Sequence, residues 1–236
     1  DIYCVLQYFF DKQWQKMREY ANGKGVKIIG DIPIFVASDS VDAWANKRLL
    51  QYDEDSVQEA SAGVPPDAFS STGQLWGNPL YNWDEMAKDG YKWWIERIKA
   101  SLKIADIIRI DHFRGFEAYW RIPKGEETAI NGKWVKGPGQ KFFNAIKKEL
   151  GSSLPLIAED LGVITDGVEK LRDDNNLPGM KILQFAFGFD SEGNFDTTNE
   201  YLIHNISERS VAYTGTHDNN TTIGWYKSLD DRTKDV

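Results

Sequence analysis

The sequence contains a single cysteine, Cys4, and therefore cannot form an internal disulfide bond. Chains with few, unpaired cysteines are typical of reducing compartments, so we expect a cytoplasmic protein. No apolar run approaches the ~18 residues that a membrane-spanning helix requires, and we expect no membrane contact. The chain also lacks an initiator methionine and begins within a helix-like apolar pattern, which favours a portion of a longer protein.

Basic residues are outnumbered by acidic ones. Aspartate and glutamate total 36 against 28 lysines and arginines, for a formal net charge of −8. This balance argues against nucleic acid and anionic membranes as partners, because both carry dense negative charge. The sequence has no His-x-x-x-His motif and no cysteine pair, so we expect no bound metal and no other cofactor.

Short apolar segments alternate with segments of helical periodicity along the whole chain. The apolar segments lie near residues 28, 108, 156, 183 and 212. Apolar runs without alternation are typical of parallel strands, and their succession with helices indicates an α/β fold. Five such strands cannot close an eight-stranded barrel. We therefore expect residues 1–236 to form an incomplete portion of a single (β/α)8 TIM barrel domain, with a loop-rich insertion at about 33–83.

Local patterns predict four further elements. Apolar spacing predicts one helix at 2–22 and a second, continuous helix at 84–104, whose apolar stripe begins at Tyr91. An Asn-Gly pair within 124–139 predicts a hairpin. Residues 198–208 are predicted to be helical.

Acidic residues follow three of the predicted strands. Asp111, Glu159 and Asp218 each come at or shortly after the end of an apolar run, with a glycine nearby. The carboxyl ends of barrel strands carry the chemistry of such folds, so we expect these three side chains to face one pocket. The alternative is a set of ion-paired strand ends without a catalytic role, since structural pairs also perturb carboxylates.

Residues 61–83 combine glycines and prolines with aromatic and amide side chains. The glycines and prolines predict a loop without regular structure. Aromatic rings cover the apolar faces of sugars while amides and carboxylates bond the hydroxyls, so this composition favours a carbohydrate site. A loop that packs on the barrel rim without binding anything is the alternative, and both can hold at once.

Several of these stretches resemble signature motifs of one enzyme family. RIDHFRG at 109–115, AEDLG at 158–162 and GTHDN at 215–219 resemble motifs of the 4-α-glucanotransferases, the amylomaltases or disproportionating enzymes of the α-amylase clan. GDIPIFVA at 30–37 and the stretch at 65–83 are similar to two more. The resemblance covers the chain in the family's order and implies about strands 3 to 7 of the catalytic barrel, without its first two strands, its eighth strand and an N-terminal aromatic region.

The resemblance implies a retaining double displacement on α-1,4-glucans. Asp111 matches the nucleophile that forms a glycosyl ester, Glu159 the acid/base, and Asp218 the group that fixes sugar hydroxyls and stabilises the transition state. The two reacting carboxyls of such an enzyme should approach within roughly 5–7 Å. Burial and a neighbouring charge should raise the pKa of Glu159, and Arg109 should keep Asp111 ionised.

The same resemblance implies a substrate-binding set and partners. The partners are α-1,4-glucan donors and acceptors such as maltooligosaccharides and amylose, with the oligomeric state left open. The expected substrate-binding residues are Asp31, Asp67, Gln74, Trp76, Asn78, Arg109, His112, His217 and Asn219.

Three other functions remain open from the residues alone. An amylase-type hydrolase would use the same carboxylates, because choosing a sugar over water as acceptor does not follow from them. A metal-dependent hydrolase would need His112 and His217 as ligands, but successive strand residues such as Asp111 and His112 point to opposite faces. A non-catalytic glucan-binding chain is the third. Metal analysis and a maltotriose assay would separate them.

Overall fold

The computed structural model describes residues 1–67 and 70–235, so Ala68 and Phe69 of the predicted loop at 61–83 lie outside the described residues. The strands that it forms are β1 Ile29–Pro33, β2 Ala60–Val64, β3 Gln74–Pro79, β4 Ile107–Asp111, β5 Ala118–Pro123, β6 Lys133–Lys136, β7 Leu156–Ala158, β8 Gly179–Ile182 and β9 Ser210–Tyr213. The helices are α1 Ile2–Gly23, α2 Val41–Ala45, α3 Trp83–Lys88, α4 Lys92–Ile104, α5 Gln140–Leu150, α6 Asp166–Asp174, α7 Thr222–Ser228 and α8 Asp231–Lys234.

The five strands predicted near 28, 108, 156, 183 and 212 are β1, β4, β7, β8 and β9. β4 lies between β1 and β7, and β8 pairs with β9, with every pairing parallel. A 2.9 Å hydrogen bond from the Ala158 N–H to the Pro178 carbonyl links β7 to the segment entering β8. The α/β class is therefore confirmed.

Alternation along β4 separates two apolar clusters. Ile108 and Ile110 are buried in the larger cluster, which includes residues of α4 and α5. Ile107 packs instead on a smaller cluster formed by Ile157, Met180 and Ile182. Because side chains alternate along a strand, Arg109 lies on this second face, where its Nε contacts the Met180 sulfur at 3.2 Å. The charged residues of β4 thus share the face of the smaller cluster.

The prediction that residues 61–83 lack regular structure is wrong. β2 pairs with both β3 and β5, in a four-stranded antiparallel sheet of order β3-β2-β5-β6. Small side chains permit this close approach: a Cβ at Gly63 would lie 2.0 Å from the Gln74 carbonyl oxygen. Glycine in a sequence normally argues against a strand, but here the absence of a side chain allows the backbones of β2 and β3 to approach closely. A hairpin is present as predicted, but its first strand, β5, precedes the range 124–139. The Asn131-Gly132 pair ends a nine-residue connection, 124–132, instead of forming a tight turn by itself.

Two helix predictions are wrong in extent. The predicted helix at 84–104 is two helices, α3 and α4, because Gly90 and Tyr91 both have positive φ, and this left-handed pair turns the chain. The prediction at 198–208 yields only a 3₁₀ turn at Ile203–Asn205. There the Asn205 side chain donates to two backbone carbonyls and so competes with helical bonding.

The helix predicted at 2–22 is confirmed as α1, although none of its residues is buried. Trp14 and Arg18 attach it to the end of α4, through Trp14 Nε1 to the Ile104 carbonyl at 2.7 Å and an Arg18–Asp106 ion pair at 2.7 Å. Within the described residues, no helix is both long enough and apolar enough to cross a lipid bilayer.

Candidate active site

A cavity of about 270 Å³ lies at the carboxyl ends of the central strands. Asp111 is the last residue of β4, Glu159 follows β7 directly, and Asp218 lies in the segment after β9. All three carboxylates line this cavity, although the Asp218 side chain is 65% exposed. The topology thus brings together three acids that are far apart in sequence, because parallel strands end at one edge.

Glu159 is held by the backbone on both sides of its carboxylate. Its Oε2 accepts a 2.7 Å hydrogen bond from the His112 N–H, and its Oε1 accepts one of 2.8 Å from the Leu161 N–H. The side chain is buried, and burial raises the pKa of Glu159 to about 7, with the nearby Asp111 charge adding to the rise. The two N–H donors act in the opposite direction. A carboxyl with this pKa exchanges its proton near neutral pH.

Asp111 contacts Arg109, as expected. Arg109 Nη2 lies 3.0 Å from Asp111 Oδ1, and its Nη1 lies 2.7 Å from Asp31 Oδ2. Burial is the largest influence on Asp111 and raises its pKa; Arg109 opposes this, while the Asp31 and Asp218 charges add to it. The expected contact is present, but the net pKa of Asp111 is raised because burial outweighs the attraction to the guanidinium.

His112 adopts a left-handed backbone conformation, with φ of 55°, directly after β4. Its ring lies edge-on to Trp76 at 4.8 Å, and its Nε2 is buried without a hydrogen-bond partner. Burial, aided by the Arg114 charge, lowers the pKa of His112 to about 3, so the imidazole is neutral. Among the described residues, no group of three or more His, Cys, Asp or Glu side chains is arranged to hold a metal ion.

Three residues of the predicted substrate-binding stretch also line the cavity: Asp67, Gln74 and Trp76. Trp76 Nε1 donates a 2.9 Å hydrogen bond to Gln74 Oε1, which fixes the indole relative to its own strand. The antiparallel pairing of β3 with β2 carries both residues to the cavity. A strand pair is a more rigid support for such side chains than the predicted loop.

Four predicted substrate-binding residues do not line this cavity. Asp31 and His217 line an adjoining cavity of about 370 Å³, which shares Arg109 with the first. Asn78 donates to the Val36 carbonyl at 2.9 Å, and Asn219 accepts from the Thr216 N–H at 2.9 Å. The two asparagines therefore bond to the protein's own backbone.

Sequence reasoning missed other residues of the cavity wall, notably Trp134, Val163 and Phe185. Arg114, which the sequence groups with Arg109, Asp111 and His112 at the end of one strand, does line the cavity. Phe185 comes shortly after β8, so its position near a strand end could have indicated it. Trp134 lies on β6, beyond a hairpin turn, and its place depends on how the antiparallel sheet folds back over the strand ends. No local signal marks it.

Comparison with known proteins agrees with these motifs. The model of the 4-alpha-glucanotransferase family matches residues 1–236. The chain is 56% identical over 232 residues to the 4-alpha-glucanotransferase of Streptococcus pneumoniae, covering 98% of this chain and 45% of that protein. It is 50% identical over 229 residues to that of Thermus thermophilus, covering 96% of this chain and 44% of that protein. The chain thus spans a little under half the length of these relatives.

Solved structures are similar as well. The amylomaltase from Streptococcus agalactiae, solved in complex with acarbose, superposes with a TM-score of 0.91 at 47% identity, covering 98% of this chain and 46% of that chain. The amylomaltase from Corynebacterium glutamicum, at 23% identity and a TM-score of 0.79, covers 96% of this chain and 31% of that chain and supports the fold alone. The family resemblance of the motifs is confirmed: the chain belongs to the 4-α-glucanotransferase family.

Proposed function

We propose that the polypeptide carrying this chain is a 4-α-glucanotransferase that moves α-1,4-glucan segments between maltooligosaccharides or starch-type glucans. The observation that carries the proposal is that two carboxyl groups in different electrostatic environments line one cavity. Glu159 is buried with a pKa of about 7, whereas Asp111 lies 3.0 Å from a guanidinium nitrogen of Arg109. Two acids with different environments are what a retaining double displacement requires.

In the first step, Asp111 attacks the anomeric carbon of the donor and forms a glycosyl ester. The bond to the glycosidic oxygen breaks, and protonated Glu159 gives its proton to that oxygen, which leaves as the 4-hydroxyl of the shortened glucan. A pKa near neutrality leaves a substantial fraction of Glu159 protonated for this purpose. Asp111 must be ionised to attack, and the Arg109 contact favours that form.

In the second step, the 4-hydroxyl of an acceptor glucan attacks the same carbon. Glu159, now a carboxylate, takes the hydroxyl proton, and the ester bond to Asp111 breaks. Two inversions retain the α configuration. The backbone N–H groups of His112 and Leu161 stabilise the ionised form of Glu159, so both protonation states are supported at one position.

Other residues of the site bind and orient the sugar. The neutral His112 lines the cavity, and we expect its buried, unpartnered Nε2 to bond a sugar hydroxyl when the substrate binds. Asp218 supplies a further carboxylate for hydroxyls and for the positive charge that develops at the anomeric carbon. Asp31 and His217 contribute through the adjoining cavity and its shared Arg109, and Asn78 and Asn219 hold backbone that carries the site.

The proposal also includes an assignment of the five parallel strands to positions in a larger barrel. We assign β1, β4, β7, β8 and β9 to about strands three to seven of an eight-stranded barrel. The parallel order of these strands and the partial coverage of the relatives support that assignment.

The second candidate is an amylase-type hydrolase, since the same carboxylates serve when water replaces the acceptor. Incubation of the complete polypeptide with maltotriose distinguishes the two. Transfer produces glucose together with maltooligosaccharides longer than maltotriose, whereas hydrolysis produces glucose and maltose only. Asp111→Asn and Glu159→Gln should each abolish the longer products. A binding chain without activity would leave maltotriose unchanged. The proposal would be overturned by unchanged maltotriose, or by glucose and maltose as the only products.

A further inference from the structure

A second depression adjoins the catalytic cavity and is referred to here as the outer groove. It measures about 760 Å³ and lies between the β5–β6 hairpin and the start of α6. Arg114, Trp134 and Val163 line both the groove and the catalytic cavity. The groove and the cavity therefore share one wall, which these three residues form.

Trp134 is the aromatic residue of that shared wall. The residue is 39% exposed, so part of a large aromatic residue is open to water. The Arg114 guanidinium lies 3.8 Å from the ring centroid, and the Trp120 ring lies 5.2 Å away at an interplanar angle of 68°. The indole is thus held by two neighbours while part of it stays accessible. A rigid exposed indole is suited to stacking against the apolar face of a sugar.

Arg114 is an unusual support for this ring. It is 5% exposed and forms no ion pair among the residues that the structure describes, and its Nε has no hydrogen-bond partner. Its Nη1 donates to the Val163 carbonyl, in the segment that follows Glu159. Burying an unpaired cation is costly, so its retention beside the cavity favours a binding role over a purely structural one.

The rest of the groove combines apolar residues such as Ala118 and Ile164 with side chains of both charges. Glu117 and Lys136 form an ion pair on one side, and Thr165 and Asp166 lie on the other. Together with Arg114, the lining carries two acidic and two basic side chains. Such a lining offers donors and acceptors to hydroxyls without favouring an anion or a cation. The matching ligand is neutral and rich in hydroxyl groups.

We propose that the outer groove is an extension subsite for the glucan chain, in which a glucosyl unit beyond those in the catalytic cavity stacks on Trp134. The wall shared by the groove and the cavity indicates the occupant, because a glucan bound in the cavity is the ligand nearest to the groove. This inference rests on the proposed glucan transfer and adds a preference for long chains.

Comparison of Trp134→Ala with wild type in the complete polypeptide tests the inference. The measured quantity is the ratio of kcat/KM for maltoheptaose to kcat/KM for maltotriose within each variant. Any loss of alignment at the catalytic acids acts on both substrates and cancels in the ratio. We expect the ratio to fall about tenfold, the factor that a single contact of ~1.4 kcal/mol provides. Trp134→Phe keeps an aromatic ring, so its ratio should stay close to that of the wild type.

Trp44 provides the matched control, since it is 76% exposed on α2 and lines neither the cavity nor the groove. Trp44→Ala should leave the ratio unchanged. An unchanged ratio in Trp134→Ala, or an equal fall in Trp44→Ala, would overturn the subsite.

Calorimetric binding of maltoheptaose and maltotriose to Glu159→Gln, with and without Trp134→Phe and Trp134→Ala, gives a second measurement that needs no turnover. A larger loss of binding for maltoheptaose than for maltotriose in Trp134→Ala supports the subsite even if the wild type proves to hydrolyse glucans instead of transferring them. Equal binding in all three proteins refutes the subsite while leaving the transferase proposal standing. The two failures are therefore distinguishable.

Discussion

The backbone N–H of His112 donates a 2.7 Å hydrogen bond to Oε2 of Glu159, and so joins the end of β4 to the residue after β7. The Glu159 backbone is tied to the same place, through its N–H to the Ile110 carbonyl and its carbonyl to the Phe113 N–H, both at 3.1 Å. These bonds fix the carboxyl beside Asp111, and among the residues that the structure describes it forms no ion pair. Burial then controls its protonation.

The first prediction concerns pH. Because Glu159 must be protonated to release the leaving group and its pKa is about 7, kcat/KM for maltotriose should fall as pH rises through about 7. The sign follows from the raised pKa: the acid form is present below that pH and lost above it. A maltosyl donor with a leaving group that needs no protonation should not show this alkaline fall. An alkaline limb that is the same for both donors would contradict the assignment of Glu159.

The second prediction concerns the loss of the Arg109 guanidinium beside Asp111. Arg109→Met leaves Asp111 near the Asp31 charge without its cation, so the pKa of Asp111 should rise further. The acidic limb of kcat/KM should move to higher pH, and the maximum should drop on the order of 100-fold. Arg48→Met, which breaks an exposed ion pair with Glu85, is the control and should leave both unchanged. An unmoved acidic limb in Arg109→Met would show that Arg109 does not govern Asp111.

The third prediction separates transfer from hydrolysis. Trp76 lines the cavity, bonds Gln74 through Nε1 and lies edge-on to His112. Trp76→Ala removes surface that an acceptor sugar needs and water does not, so transfer should weaken more than hydrolysis. Product analysis from maltotriose measures both, and the transfer-to-hydrolysis ratio should fall several-fold. A ratio equal to that of the wild type would reject this role for Trp76.

The fourth prediction concerns the close pairing of β2 with β3, the strand that carries Trp76, and uses a substitution at Gly63. Gly63→Ala would place a Cβ 2.0 Å from the Gln74 carbonyl oxygen, a backbone atom that cannot move aside. Unfolding free energy should fall by about 3 kcal/mol, and hydrogen exchange should quicken at β2 and β3. Gly23→Ala is the control: nothing lies within 4 Å of its added Cβ, and it ends α1. Equal stability of the two variants would contradict the close β2–β3 pairing.

The central strands and the converging acids were predictable because their signals are local. An apolar run followed by an acid identifies β4 with Asp111, and the same pattern identifies β7 with Glu159. The roles of these residues remain a proposal, but their placement at one cavity needed only the rule that parallel strands end together.

What could not be predicted depends on contacts between distant segments. Gly63 has the signature of a loop, and only the approach of Gln74 shows why glycine is needed within a strand. Tyr91 fits the helical stripe that continues in α4, yet its positive φ places it before that helix and separates α4 from α3. Trp134 reaches the cavity because an antiparallel sheet folds over the strand ends, and its sequence neighbours carry no sign of that.

The covalent step on Asp111 is the central claim, and trapping tests it most directly. Glu159→Gln should still react with an α-maltosyl fluoride, because fluoride leaves without protonation. It should release the sugar slowly, because the base for the second step is missing. Intact mass spectrometry should then show the protein carrying one maltosyl group, and peptide mapping should place it on Asp111. An adduct on another residue, or none under conditions where the fluoride is consumed by this variant, would contradict the account.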